Sequence, residues 1–172
     1  CCGTDVALAT TGPVAAYRDR TPDEIRDIAV ARHAAGQWQP PLTIGNDRWQ
    51  IAGCPVNGPA IAARGDRVAV AWYTGAGGAR RVQLAWSTDA GRTFGPPVLV
   101  DDAAVTGYVD LALAGDGRAV VSWTGRTPAG TGQLRLRRVP FAGAPGRVQV
   151  VAEGDMGRGA GFPQLALAPD RV

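Results

Sequence analysis

The chain has 172 residues, 45% of them apolar and 19% charged, with a net charge of +3. It is too apolar for a disordered chain and long enough to bury a core of its own. The basic residues, all arginine, are scattered among 15 acidic ones, which argues against a nucleic-acid stripe, and no apolar run reaches the length of a membrane-spanning helix.

In chain order, the first unit predicts strands at Asp5–Ala9, Val14–Tyr17, Ile25–Val30 and Leu42–Ile44. A helix after Thr21, over residues 22–31, is the competing reading of the third of these, and the alignment with later units favours the strand. The second unit repeats the pattern at Pro59–Ala63, Val68–Trp72, Val82–Trp86 and Val98–Val100. The third places strands at Asp110–Ala114, Ala119–Trp123, Leu134–Arg137 and Val148–Val151, and a fourth unit opens at Phe162–Ala168. Polar turns such as Arg64-Gly65-Asp66-Arg67 and Gly115-Asp116-Gly117-Arg118 join the first two strands of a unit. Tyr17, Trp72 and Trp123 close the second strands at intervals of 55 and 51 residues. Four short strands recurring at that period predict an all-β fold, a β-propeller of four-stranded antiparallel blades. The blades fall at about 1–48, 49–101 and 102–153, with the first strand of another in 154–172. Closed propellers have about 4 to 8 blades, so the chain reads as a fragment of a larger ring or as a unit that closes by oligomerising; its oligomeric state stays open.

Between the third and fourth strands of the second unit lies Ser87-Thr88-Asp89-Ala90-Gly91-Arg92-Thr93-Phe94, which fits the pattern S-x-D-x-G-x-T-[FW] at each fixed position. Ser87 and Asp89 have side chains able to bond turn backbone groups, Gly91 supplies a positive φ, Phe94 offers an apolar plug, and Thr93 completes the fixed positions of the motif. A worn copy, Arg32-His33-Ala34-Ala35-Gly36-Gln37-Trp38, keeps Gly36 and the aromatic Trp38, and Phe141–Gly146 replaces the turn in the third unit.

On this motif and repeat the chain resembles the sialidase (BNR/Asp-box repeat) superfamily, in particular bacterial sialidase-like propellers. The resemblance implies a six-bladed ring, with the Asp box as a structural turn on the face opposite the active site. It also implies an exo-acting glycoside hydrolase on sialylated or related acidic glycans. Such an enzyme needs arginines that hold a substrate carboxylate, a tyrosine nucleophile activated by a glutamate, and an aspartate acid/base. The residue types stand on the face with the blade-to-blade connections: Arg18, Arg48 and Arg126 with Asn57 for binding, Tyr108 with Glu153, and Asp19 for chemistry. The family's early Arg-Ile-Pro motif is absent, so these are placed by residue type and face rather than by motif. The alternative function is a non-catalytic propeller that binds a glycan or a protein, or serves as a scaffold. No cofactor or metal is expected: His33 is the single histidine, and its turn lies on the face away from the expected site.

Cys1 and Cys54 precede equivalent first strands in adjacent units, so a disulfide from Cys54 to Cys1 or Cys2 is one reading; buried free thiols or a thiolate metal site are the others. A disulfide, with the resemblance, implies a secreted or periplasmic protein. No signal peptide is present in the chain, which starts inside an ordered unit.

Overall fold

The computed structural model describes residues 3–156 and 162–167; its regular elements are strands apart from one 3-10 turn at Ala76–Gly78. They form three antiparallel sheets. The first runs β1 (Asp5–Ala9), β2 (Gly12–Arg18), β3 (Ile28–Ala34) and β5 (Leu42–Gly45), with β4 (Gln37–Trp38) paired to the far end of β3. The second runs β6 (Ala60–Arg64), β7 (Arg67–Thr74), β8 (Arg81–Ser87) and β9 (Val98–Asp101). The third runs β10 (Val105–Leu113), β11 (Ala119–Arg126), β12 (Gly132–Val139) and β13 (Gln149–Gly154). The first strands β1, β6 and β10 are neighbours in space, so the sheets stack face to face around one side like blades.

Period-two alternation decides what each face buries. On β7, Val68, Val70 and Trp72 point into a core shared with Val14, Ile28, Val30 and Ile44 of the first sheet. The residues between them, Ala69, Ala71 and Tyr73, point into a second core with Val105, Leu111, Val121 and Trp123 of the third. The middle sheet is thus dry on both sides. The first sheet leaves Val6 and Leu8 56% and 74% exposed on its outer face.

Polar ties recur at each sheet-to-sheet contact. Trp72 donates its indole N–H to Asp47 at 2.9 Å, and Trp123, one repeat later, donates to Asp101 at 2.8 Å. In both cases a tryptophan on a second strand meets a carboxylate at or just past the outer strand of the preceding sheet. Asp101 also pairs with the buried Arg135 guanidinium at 2.9 Å. Arg135 stands opposite Trp123 and Gln133 opposite Gly125, whereas Gln83 stands opposite Trp72 and Arg81 opposite Thr74. The arginine and glutamine have exchanged places between the two sheets. Gly125 makes the room: a Cβ there would lie 2.7 Å from the Arg135 guanidinium carbon. In the second sheet the side chain of Thr74 stands at that position. Asp5 and Asp110, also equivalent, each accept the next residue's amide and reach the following unit, at the Ile61 and Leu165 amides respectively.

Four details differ from the sequence expectation. The third strand of the first sheet begins at Ile28 rather than Ile25, because Ile25 makes only an isolated bridge to Gln50, and the helical alternative is not taken. The worn turn becomes a two-residue hairpin at Ala35-Gly36, both at positive φ, because it lacks the aspartate and serine that would bond a longer loop. The first strand of the third sheet starts at Val105, five residues early, and accommodates the extra length through register shifts on either side of Gly107. Residues 162–167 form no strand, Ala168 lies outside the described residues, and the Asp110 carboxylate holds the Leu165 amide.

The Ser87–Phe94 turn closes as its residue types require. The Ser87 hydroxyl donates to Asp89 Oδ1 at 2.7 Å and accepts the Gly91 amide at 2.9 Å. Asp89 accepts the Thr93 amide at 2.9 Å and the Thr93 hydroxyl at 2.6 Å. Gly91 takes φ +80° against Val14, and Phe94 packs on the core between the first two sheets. Burial pushes the Asp89 carboxyl upward, but the Thr93 hydroxyl and amide, the Ser87 hydroxyl and the Arg92 amide outweigh it and hold the group at about 2. The Ala90 amide bonds the Asp66 carbonyl at 2.9 Å, so this turn shares a face with the β6–β7 turn.

Candidate functional site

At the opposite end of the sheets, the first strands and their approaches converge on a cavity of about 410 Å³. Asp5, Asn57, Tyr108, Asp110, Phe162 and Gln164 are among its lining residues. The bulged start of β10 builds its centre. Gly107 takes φ +115° and Tyr108 φ +53°, and the Asn57 carboxamide oxygen accepts the Tyr108 amide at 2.8 Å. A Cβ on Gly107 would lie 2.2 Å from that oxygen, so only glycine admits the contact. The Tyr108 ring meets Phe162 edge to face at 4.8 Å between centroids. The result is a half-open pocket with an aromatic corner, two carboxylates and two carboxamides. Such a lining suits a polyhydroxylated ligand, with ring faces for its apolar side and acceptors for its hydroxyls.

Next to it, across Asn57, lies a depression of about 420 Å³ lined by Trp49, Tyr73, Pro55 and Gly75. Trp49 and Tyr73 stack edge to face at 5.6 Å. Burial raises the Tyr73 phenol against the opposing pull of Arg80 and Arg18, so it stays protonated at neutral pH.

The residues singled out in the sequence lie on this end of the sheets and are spread across it. Arg18 is buried, with its guanidinium donating to the carbonyls of Asn57 at 3.0 Å, Arg26 at 2.6 Å and Tyr73 at 2.6 Å, and its carbon 4.9 Å from the centre of the Trp49 ring. It knits three chain segments beneath the depression. Arg48 is exposed and lines a third hollow with Asp19, Thr21 and Asp27, of about 360 Å³. Asp27 accepts the Arg48 and Trp49 amides at 3.1 and 3.2 Å; burial raises its carboxyl, and those amides and Arg18 oppose the shift. Arg126 is exposed and donates to the Gly130 carbonyl at 2.9 Å. Glu153 accepts from Gln133 at 2.6 Å on β13, whereas Tyr108 is on β10. Three strand spacings, about 14 Å, separate those two strands. Of the set, Asn57 and Tyr108 meet in the first cavity and Asp19 and Arg48 in the third hollow.

Cys54 is exposed and disulfide-bonded; Cys1 and Cys2 lie outside the described residues. Gly3 crosses Gly58 so closely that a Cβ on Gly58 would lie 2.2 Å from the Gly3 carbonyl oxygen. Among the described residues no group of histidines, cysteines and carboxylates is arranged to hold a metal, and no helix is long and apolar enough to cross a membrane.

Sequence reasoning missed Asp5, Phe162 and Gln164 as pocket residues. The signal for the first was the recurrence of aspartate at equivalent positions 5 and 110; the other two become partners only through the fold.

No protein-family model matches the chain, and no curated protein matches it in sequence. Among solved structures the chain is similar to the Hadza microbial sialidase Hz136, with a TM-score of 0.55 and 19% identity over 84% of this chain. The fold is sialidase-like. The match spans 37% of that sialidase, so the chain corresponds to little more than a third of its length. At this identity the likeness concerns the fold alone.

Proposed function

We propose that this sialidase-like segment recognises carbohydrate in the pocket at the Tyr108 end of its first strands and acts as a binding module. The observation that carries the reading is the lining: Asn57, Tyr108, Asp5, Asp110 and Gln164 supply acceptors and an aromatic face, and no arginine lines that cavity among the described residues. A sialic acid carboxylate needs a bidentate cation, which this lining lacks; a neutral glycan does not. Arg18 is engaged by three backbone carbonyls, which supports a structural part for it. The Cys54 disulfide fits an oxidising compartment, and we propose export for the protein.

One observation favours a second reading, a sialidase-type hydrolase: the structural match is to a sialidase, and covers little more than a third of it. In that reading the arginines and the partner of Tyr108 come from outside this chain's described residues.

Titration calorimetry with a panel of neutral and sialylated oligosaccharides, alongside a fluorogenic sialoside assay, separates the two. The binding reading expects a neutral glycan to bind, Tyr108→Ala to weaken it about tenfold or more, and no sialoside turnover. Turnover that Tyr108→Phe abolishes would establish the hydrolase instead.

A further inference from the structure

The face carrying the β6–β7 and β10–β11 turns, opposite the pocket, has a charge distribution that its neighbours on the other face do not share. Exposed Arg64, Arg67, Arg92, Arg118, Arg138 and Arg147 stand there against Asp66, Asp89 and Asp116. The whole chain carries only +3, so this charge is segregated rather than general. Two of the three carboxylates are already engaged: Asp89 by the Ser87–Thr93 bonds, and Asp116 by the Arg118 amide at 3.0 Å and guanidinium at 3.5 Å. Among the described residues, Arg67, Arg92, Arg138 and Arg147 make no ion pair.

The positions are contiguous. Arg64 reaches from the second sheet to the Ala114 and Gly115 carbonyls of the third, at 3.1 and 2.7 Å. Arg64 and Arg67 then line a slot of about 290 Å³ floored by Leu113 and the Gly115-Asp116-Gly117 turn. The Arg67 guanidinium lies 5.4 Å from the centre of the Phe141 ring, at the start of the loop that returns through Gly146 to Arg138 and Arg147. Arg64 and Arg67 therefore flank a recess at the seam between two sheets, with Arg118 next to its turn and Arg138 and Arg147 on the adjoining loop.

We infer that this seam is a docking surface for a polyanionic polysaccharide, with a sulfate or carboxylate of the chain seated between Arg64 and Arg67 and further anionic groups met by Arg118, Arg138 and Arg147. The recess fits single anionic groups on a narrow polymer better than a flat layer of lipid headgroups. A nucleic acid is disfavoured because Phe141, the aromatic ring within the patch, has one face under Arg67 and meets Trp86 edge-on at 5.8 Å, which leaves a base no paired platform. This surface is independent of the carbohydrate pocket on the other face.

The test is fluorescence polarisation of a labelled heparin-derived oligosaccharide on the full chain, in a salt series. Binding is expected, weakening as salt screens the exposed guanidiniums. Arg67→Gln with Arg147→Gln is expected to weaken it about tenfold, from two exposed charge contacts, while the corresponding double Lys variant retains most of it. The same charge change on the opposite face, Arg20→Gln with Arg80→Gln, leaves affinity within about twofold if the site is local. Equal losses for the two double Gln variants would show a diffuse charge effect and overturn the assignment. So would the absence of oligosaccharide binding, or tighter binding to duplex DNA or phosphatidylserine vesicles. Circular dichroism and a thermal melt of each variant exclude unfolding as the cause of a loss.

Discussion

Replacing Asp101 by alanine tests the polar ties between sheets. Its Oδ2 accepts the Trp123 indole at 2.8 Å and the Arg135 guanidinium at 2.9 Å, and its Oδ1 accepts the Ala103 amide at 3.1 Å. The paired side chains of Arg135 and Asp101 are 9% and 8% exposed. Asp101→Ala therefore leaves a buried guanidinium without its counter-ion and a buried indole N–H without its acceptor. Breaking a buried pair in this way costs about 3–5 kcal/mol. Asp47→Ala at the equivalent contact orphans only the Trp72 indole, because Gln83 stands where Arg135 does, and should cost about 1–3 kcal/mol. Urea unfolding followed by tryptophan fluorescence gives both values, with a constant m-value as the check that the transitions are comparable. Asp101→Asn keeps an acceptor and loses the charge, and is expected to fall between the two. Adding Arg135→Met to Asp101→Ala should recover part of the loss, since an apolar replacement carries no unpaired charge. Equal costs for Asp47→Ala and Asp101→Ala, or no recovery in the double variant, would refute the reasoning.

Gly107→Ala sets a Cβ 2.2 Å from the Asn57 carboxamide at φ +115°; unfolding measurements should show a loss of about 1–3 kcal/mol and glycan titration a weakened pocket. Cys54→Ser should lower stability by about 2–5 kcal/mol, and reductant should lower the melting temperature of the wild type but not of the variant. Asp89 holds its proton less tightly folded, at about 2, than at its ordinary value of 3.8, so its stabilisation is complete above pH 3.8 and disappears as the pH falls toward 2. Asp89→Asn should flatten that part of the melting-temperature profile, by a modest amount because the group is only partly buried and solvent screens it.

Much of the sheet architecture was legible because one periodicity carried it. The apolar runs Val68–Trp72 and Ala119–Trp123, each preceded by a polar turn, recur at an interval of 51 residues, and short strands repeating at that period are what a stack of blades requires. The strand limits in the first sheet were less legible: Ile25-Arg26-Asp27-Ile28 alternates as a strand would, but Asp27 turns inward to accept the Arg48 and Trp49 amides, and pairing starts only after it. The pocket was half legible. Asn57 and Tyr108 belonged to the face expected to carry a site, whereas their contact depends on a bulge at Gly107 that a residue pattern does not announce. Arg18 shows why charge alone misleads at this scale. A guanidinium has five donors, and three main-chain carbonyls brought from distant segments can occupy it as fully as a ligand could.

The exchanged arginine and glutamine also constrain how such a repeat can change. Converting the Gln133–Arg135 arrangement into the Arg81–Gln83 one requires substitution at both positions, and neither order is neutral. One intermediate sets two guanidiniums side by side between Asp101 and Glu153; the other carries two carboxamides and leaves Asp101 with the Trp123 indole and the Ala103 amide but no counter-ion. The cleft must change as well, since Gly125 accommodates the guanidinium while Thr74 occupies the matching place beside Gln83. Each seam is in this sense a small co-adapted unit, so residues copied from one repeat into another should act as a set and fail one at a time.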